Sequence, residues 1–153
     1  MKHMRVVDMH RTIAAPIGEV FDWLTDATNY HRVPAVRRVV LVRPGDTHGH
    51  GVGAIRIVNT PLFRMTEEIL EFDRPTFMRY YIPRSTPPLR HDEGYMRFAE
   101  VPEGTHVRWY SRFEVKSRFA SDLCTLMMVP LIATGFRFAL DTCEKELRQT
   151  KKD

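Results

Sequence analysis

The sequence predicts an α+β fold: a curved antiparallel sheet wrapped around one long C-terminal helix, with two short helices after the first strand. Three observations carry this. Between residues 36 and 115, β-branched and aromatic runs alternate with Pro/Gly turn signals, the pattern of consecutive hairpins. Residues 121–150 carry apolar side chains at helical spacing. Ala15-Pro16 separates an initial strand from a short amphipathic segment. The 153 residues are 43% hydrophobic and 27% charged. That suits a single domain over 1–153 with a real core and excludes a disordered tail or a separate cofactor module.

The elements follow in order. Arg5 to Ala14 reads as a strand, and Pro16 to Thr25 as a helix with Ile17, Val20, Phe21 and Leu24 on one side. Asp26 to Val33 is a second short helix or turn, closed by Pro34. Val36 to Val42 is a strand stopped by Pro44-Gly45, and 46–53 is a glycine-rich turn. Strands follow at Val52–Thr60, Met65–Phe72 and Phe77–Ile82, with a turn at Asp73-Arg74-Pro75. The three prolines of Pro83 to Leu89 predict a loop, a candidate gate. Glu93–Val101 and Thr105–Val115 flank a tight turn at Pro102-Glu103-Gly104. Ser121 to Thr150 is the long helix, capped by Ser121, interrupted by Pro130 and polar after Asp141. It alone is large enough to cover the sheet, and such a sheet closing on one helix leaves a space between them.

The net charge is +4, and 18 of the 23 basic residues are Arg. They are dispersed; Arg37-Arg38 and Lys151-Lys152 are the densest clusters, so no nucleic-acid partner is expected. Cys124 and Cys143 share the C-terminal helix, about 28 Å apart at helical rise, so free thiols are expected. No apolar run approaches the roughly 20 residues of a bilayer span, and Met1 to Asp8 lacks a signal-peptide pattern. A cytoplasmic location is expected.

The opening TIAAPIGEVFDWLTDATNYHRVPAV (Thr12 to Val36), the EEILEFDRP strand and turn (Glu67 to Pro75) and EGTHVRWYSRFEV (Glu103 to Val115) together resemble the SRPBCC, or START-like, superfamily. The resemblance covers nearly the whole chain and is greatest to the polyketide cyclase/dehydrase branch. It implies the helix-grip fold and a hydrophobic pocket between sheet and helix. Members bind sterols, lipids, quinones, polyketides or plant hormones, and some cyclise and dehydrate poly-β-ketone chains. The pocket Arg and Tyr of aromatase/cyclases do not map onto positions here, and fold alone does not fix function.

Strand alternation places Met78, Tyr80, Ile82, Met96, Phe98, Trp109, Ser111 and Phe113 on the inner face. The helix is expected to contribute Met127, Leu131, Thr134 and Phe138. Such aromatic and Met side chains suit a flat, apolar ligand, and equally a filled core. Glu68 and Tyr80 are the catalytic candidates, an acid/base group and an oxyanion donor, with Arg56 and Arg79 unassigned. Glu68 alternatively belongs to a surface row with Glu67 and Glu71. His48-x-His50 and His91-Asp92-Glu93 lack a third ligand at metal-site spacing, so neither a metal nor a cofactor is expected. Arg137, between Phe136 and Phe138, either meets an anionic head group or snorkels to solvent.

Four readings stand on these residues. The first is binding of a hydrophobic small molecule (lipid, quinone or polyketide-like) in the sheet–helix cavity. The second is a cyclase, aromatase or dehydratase using the same cavity. The third is a quinone or lipid carrier with transient membrane contact. The fourth is a macromolecular partner on the outer sheet face at Arg97, Arg108 and Arg112.

Overall fold

Ala15-Pro16 stops the first strand, β1 (Arg5–Ile13), and opens the first helix, α1 (Ile17–Thr25). Proline fixes its own φ and lacks an N–H, so it ends a ladder and suits a helix start. In the computed structural model, which describes residues 4–152, α1 buries Val20, Phe21, Trp23 and Leu24. The Asp26 side chain then accepts the Thr28 N–H at 2.9 Å and caps a 3-10 helix, Ala27–Arg32. The strands are β2 (Arg38–Arg43), β3 (Ile55–Asn59), β4 (Arg64–Asp73), β5 (Phe77–Thr86), β6 (Leu89–Val101) and β7 (Gly104–Val115), and α2 spans Ser121–Lys152. They form one seven-stranded antiparallel sheet in the order β1-β7-β6-β5-β4-β3-β2. Beyond the hairpins, the sequence-distant β1 pairs with β7, Arg5 opposite Phe113 through Ile13 opposite Thr105. Gly104 turns β6 into β7 at φ +137°, where a Cβ would sit 2.2 Å from the Ile13 carbonyl. The whole is the helix-grip arrangement. Of the two basic clusters, the Lys151-Lys152 side chains lie outside the described residues.

Three expectations change. The stretch 83–89 is not a loop: β5 runs to Thr86 and β6 starts at Leu89, leaving only Pro87-Pro88 between them. Pro83 is accommodated because the β5–β6 ladder covers only Phe77–Arg79, so its missing N–H costs no cross-strand bond to β6. A bulge against β4 also falls here, between the pairs Glu68–Tyr81 and Thr66–Arg84. Second, Glu68 faces outward. Met65 and Ile69 are buried, so Glu67, midway between them, shares the inner face. Third, α2 turns a different face to the sheet. Met127 is 63% and Leu131 38% exposed, and the Thr134 hydroxyl folds back onto the Pro130 carbonyl. The inward residues are Thr125, Met128, Ile132, Ala139, Leu140 and Cys143. By length and composition α2 is also apolar enough to cross a bilayer, against the sequence reading. In this fold it covers the sheet, which explains its inner apolar face.

Candidate functional site

Between the sheet and α2 lies a partly open space of about 90 Å³. Tyr30, Val33 and Val36, from the 3-10 helix and the segment after it, close one end. Val58 of β3, Phe63, Met65 of β4, Ile82 of β5 and Leu89 of β6 supply apolar wall, and Phe113 extends it on β7. From α2 come Ile132, Gly135, Phe136 and Ala139. Trp109 of β7 stacks on Phe136, with ring centroids 4.1 Å apart and planes within 9°. This stack joins sheet and helix within the lining of the space. A Cβ on Gly135 would meet nothing within 4 Å, so the helix is cut away there, toward the cavity.

One wall is polar. The Trp109 Nε1–H donates to the Tyr80 hydroxyl at 3.1 Å. The Tyr80 ring stacks on His91, centroids 5.5 Å apart. His91 occupies the gap where β5 and β6 part. Its Nδ1 accepts the Ile82 N–H at 3.3 Å, and its Nε2 lies 3.2 Å from the Ser111 hydroxyl. With Nδ1 accepting, Nε2 carries the proton and donates to Ser111, a tautomer assigned from the hydrogen bonds. Burial lowers the His91 pKa to about 4, so the ring is neutral. Burial likewise raises the Tyr80 pKa well above the usual phenol value, so Tyr80 remains a hydroxyl donor. Gly94 makes the stack possible: a Cβ there would sit 2.6 Å from the Tyr80 ring and 2.7 Å from His91 Cε1.

This geometry bears on chemistry. A serine nucleophile needs a lone pair on the histidine nitrogen facing it. Here that nitrogen bears the proton, because the Ile82 N–H occupies the other lone pair. Ser111–His91 is therefore a structural pair. The charged group on the wall is Glu67. Its Oε1 accepts from Arg56 Nε at 3.0 Å, and Arg56 Nη1 donates to the Thr25 carbonyl at 2.8 Å. Arg56 is 1% exposed. The pair places a neutralised carboxylate beside an apolar space and ties β3 and β4 to the end of α1.

Of the residues expected at the site, the structure brings together Tyr80, Ile82, Trp109, Ser111 and Phe113. Met78, Met96 and Phe98 are buried, but in the core behind the cavity, where Phe98 packs on Phe21 at 5.0 Å. Phe138 is half-buried and, like Met127, Leu131 and Thr134, does not line the space. Glu68 is replaced by Glu67. Sequence reasoning missed Glu67, His91, Tyr30 and Phe136, and left Arg56 unassigned. For Glu67 the signal was present as Met65-x-Glu67-x-Ile69. His48 stacks on Phe72, and His50 lies 3.1 Å from Asp26. Among the described residues no three His, Cys, Asp or Glu side chains converge as a metal site would require.

Residues 4–148 match the family described as polyketide cyclase / dehydrase and lipid transport. Among solved structures, the chain resembles the Zhui aromatase/cyclase from Streptomyces sp. R1128 at 18% identity, with a TM-score of 0.80 over 96% of this chain and 95% of that one. It also resembles TTHA0849 from Thermus thermophilus at 19% identity and a TM-score of 0.78, covering 95% and 99%. A third is the di-domain ARO/CYC BexL of the BE-7585A biosynthetic pathway, at 18% identity and a TM-score of 0.76; 95% of this chain matches 50% of that one. At these identities the likeness establishes the fold. No curated protein matches significantly.

Proposed function

The chain belongs to the polyketide cyclase/dehydrase and lipid transport family, and we propose that it binds a hydrophobic small molecule, lipid-, quinone- or polyketide-like, between the sheet and α2. The observation carrying this is the lining of the cavity: its accessible surface is almost wholly apolar, with the polar side chains of Tyr80, Ser111 and Glu67 set into one wall. A flat ligand with one carbonyl or hydroxyl answers both. The space is below the roughly 300–1,000 Å³ of sites for drug-sized ligands, so a larger ligand either parts the Trp109–Phe136 stack or extends out of the open side. The expected transient contact with a membrane surface is supported by the exposed Phe119, just before α2, and Leu123, Leu126 and Met127 on α2 itself.

The test is native mass spectrometry of freshly purified protein, followed by extraction of anything released and titration with 2-acetonaphthone, a neutral flat ketone. The expected result is saturable one-to-one binding, about tenfold tighter than naphthalene because of one hydrogen bond. Equal affinity for both, or no binding of either, overturns it.

A second reading, cyclisation or dehydration in the same cavity, is favoured by one observation: Glu67 and Tyr80 line the same space. A carboxylate and a phenol donor on one wall suit enolisation and oxyanion stabilisation. Turnover of a linear β-ketone mimic, lowered at least about a hundredfold in Glu67→Gln, would support it. Equal rates in wild type and variant would exclude a catalytic role for Glu67.

A further inference from the structure

The opposite face of the same sheet holds a second concavity, larger than the first. Its volume is about 580 Å³. Val42, Ile55 and Ile57 form an apolar floor, and Arg64, Arg84 and Lys116 stand around it. Thr66, Ser85 and Thr86 add side-chain hydroxyls, and no carboxylate lines it. Register explains the convergence. Ile57 lies opposite Thr66, which lies opposite Arg84; Asn59 lies opposite Arg64, which lies opposite Thr86. Arg64 and Arg84 are thus diagonal neighbours on adjacent strands, a separation of about 7–8 Å that long side chains bridge. The bulge between Tyr81 and Arg84 is what turns Arg84 outward, because it reverses the alternation that sends Tyr80 and Ile82 inward.

The charges here differ from those on the rest of the outer face. There, four arginines are matched with carboxylates, Arg79 with Glu71, Arg108 with Asp8, Arg112 with Asp92 and Arg90 with Glu114, and Arg97 lies over the Phe77 and Tyr95 rings. Among the described residues, no carboxylate comes within 4 Å of Arg64, Arg84 or Lys116. Glu68, the nearest acid in register, pairs with Ile55 and Tyr81 and does not line the groove. Like charges on neighbouring strands repel. A bound oxyanion relieves that repulsion, and two guanidinium forks with an ammonium match a phosphate dianion in charge and donor geometry.

We infer that this groove is a second binding site, for a phosphate monoester carrying a short apolar group, with the phosphate on Arg64, Arg84 and Lys116 and the apolar group on Ile55 and Ile57. The basic groups lie on the far side of the sheet from the cavity, the two spaces meeting at Leu89, and the site stands whether or not the cavity binds a ligand.

The experiment is amide chemical-shift mapping of the full chain titrated with hexyl phosphate, inorganic phosphate and hexanol. Hexyl phosphate is expected to shift Ile57, Thr66 and Arg84 saturably, leaving the Trp109 indole N–H in place. Inorganic phosphate is expected to bind the same residues at least about tenfold more weakly, and hexanol not to bind. Arg64→Gln/Arg84→Gln, which alters only exposed side chains, should lose at least about tenfold in affinity for hexyl phosphate. Equal affinity in wild type and double variant, equal shifts from hexanol, or shifts centred on Trp109 would each overturn the inference. Vesicles of phosphatidylcholine with phosphatidic acid distinguish the source. Arginine-dependent co-sedimentation assigns the phosphate to a lipid headgroup; its absence, with hexyl phosphate still bound, assigns it to a soluble ester.

Discussion

The two halves of α2 are held very differently. The C-terminal half is clamped. Ala139, Leu140 and Cys143 are buried, Asp141 and Glu144 meet Arg11 at 2.7 and 3.6 Å, and Glu146 accepts from both the Trp23 indole and Arg32. The N-terminal half buries Met128 and Ile132 and is pinned by the Thr125 hydroxyl, which accepts the Val115 N–H at 2.9 Å. Its other side exposes Leu123, Leu126 and Met127, and its ion pair, Arg5–Asp122, is solvent-exposed and worth little. Within the N-terminal half, near its junction with the other, Pro130 removes one helical hydrogen bond. The cavity residues Ile132, Gly135 and Phe136 sit at this junction. One end of the helix is held by burial and several ion pairs, the other by fewer contacts.

Mutations should separate the two ends. Leu140→Ala is expected to cost about 3 kcal/mol, because it opens a void in the anchored half; chemical denaturation checks this. A loss of similar size concerns the polar wall that the helix covers. The folded-state pKa of His91, about 4, lies below its ordinary 6.5. The unfolded chain therefore binds the extra proton between those values. The His91 contribution should be level above pH 6.5 and fall by about 3 kcal/mol on acidification to pH 4, while the lowered Asp8, Asp22 and Glu146 carboxyls add further loss in more acid solution. In His91→Gln that part of the slope should vanish.

Smaller effects sharpen the contrast. Glu146→Gln should cost about 1 kcal/mol, weakening the bonds to Trp23 and Arg32 that fix the anchored end; thermal melts read it directly. Gly135→Leu should act in the other direction. It replaces a mid-helix glycine and fills empty space, so stability should rise by about 1 kcal/mol while ligand binding is lost. Met127→Ser, on the exposed side, should change stability by less than about 0.5 kcal/mol.

The order of elements was legible because turn residues and hydrophobic period are local signals. The inner positions of β7 were legible because Val107, Trp109, Ser111 and Phe113 alternate without interruption. Facing was lost where both choices were apolar. In α2, Met127 and Leu131 match helical spacing as well as Met128 and Ile132 do. Only the polar C-terminal half discriminates: extending back from Leu140 in steps of four gives Phe136, Ile132 and Met128. In β4 the two adjacent glutamates masked the parity set by Met65 and Ile69. The extent of β5 was hidden by Pro83, tolerated because the sheet parts there and admits His91. That parting is a tertiary event with no local signature.

The most direct test of the cavity account is an amide and indole chemical-shift titration with 2-acetonaphthone in wild type and Gly135→Leu. The account predicts saturable one-site shifts at the Trp109 indole N–H and the Gly135 amide in wild type, and no binding in the variant. Shifts confined to Leu123, Leu126 and Met127 on the outer side of α2, with Trp109 unmoved and the variant binding equally, would contradict it.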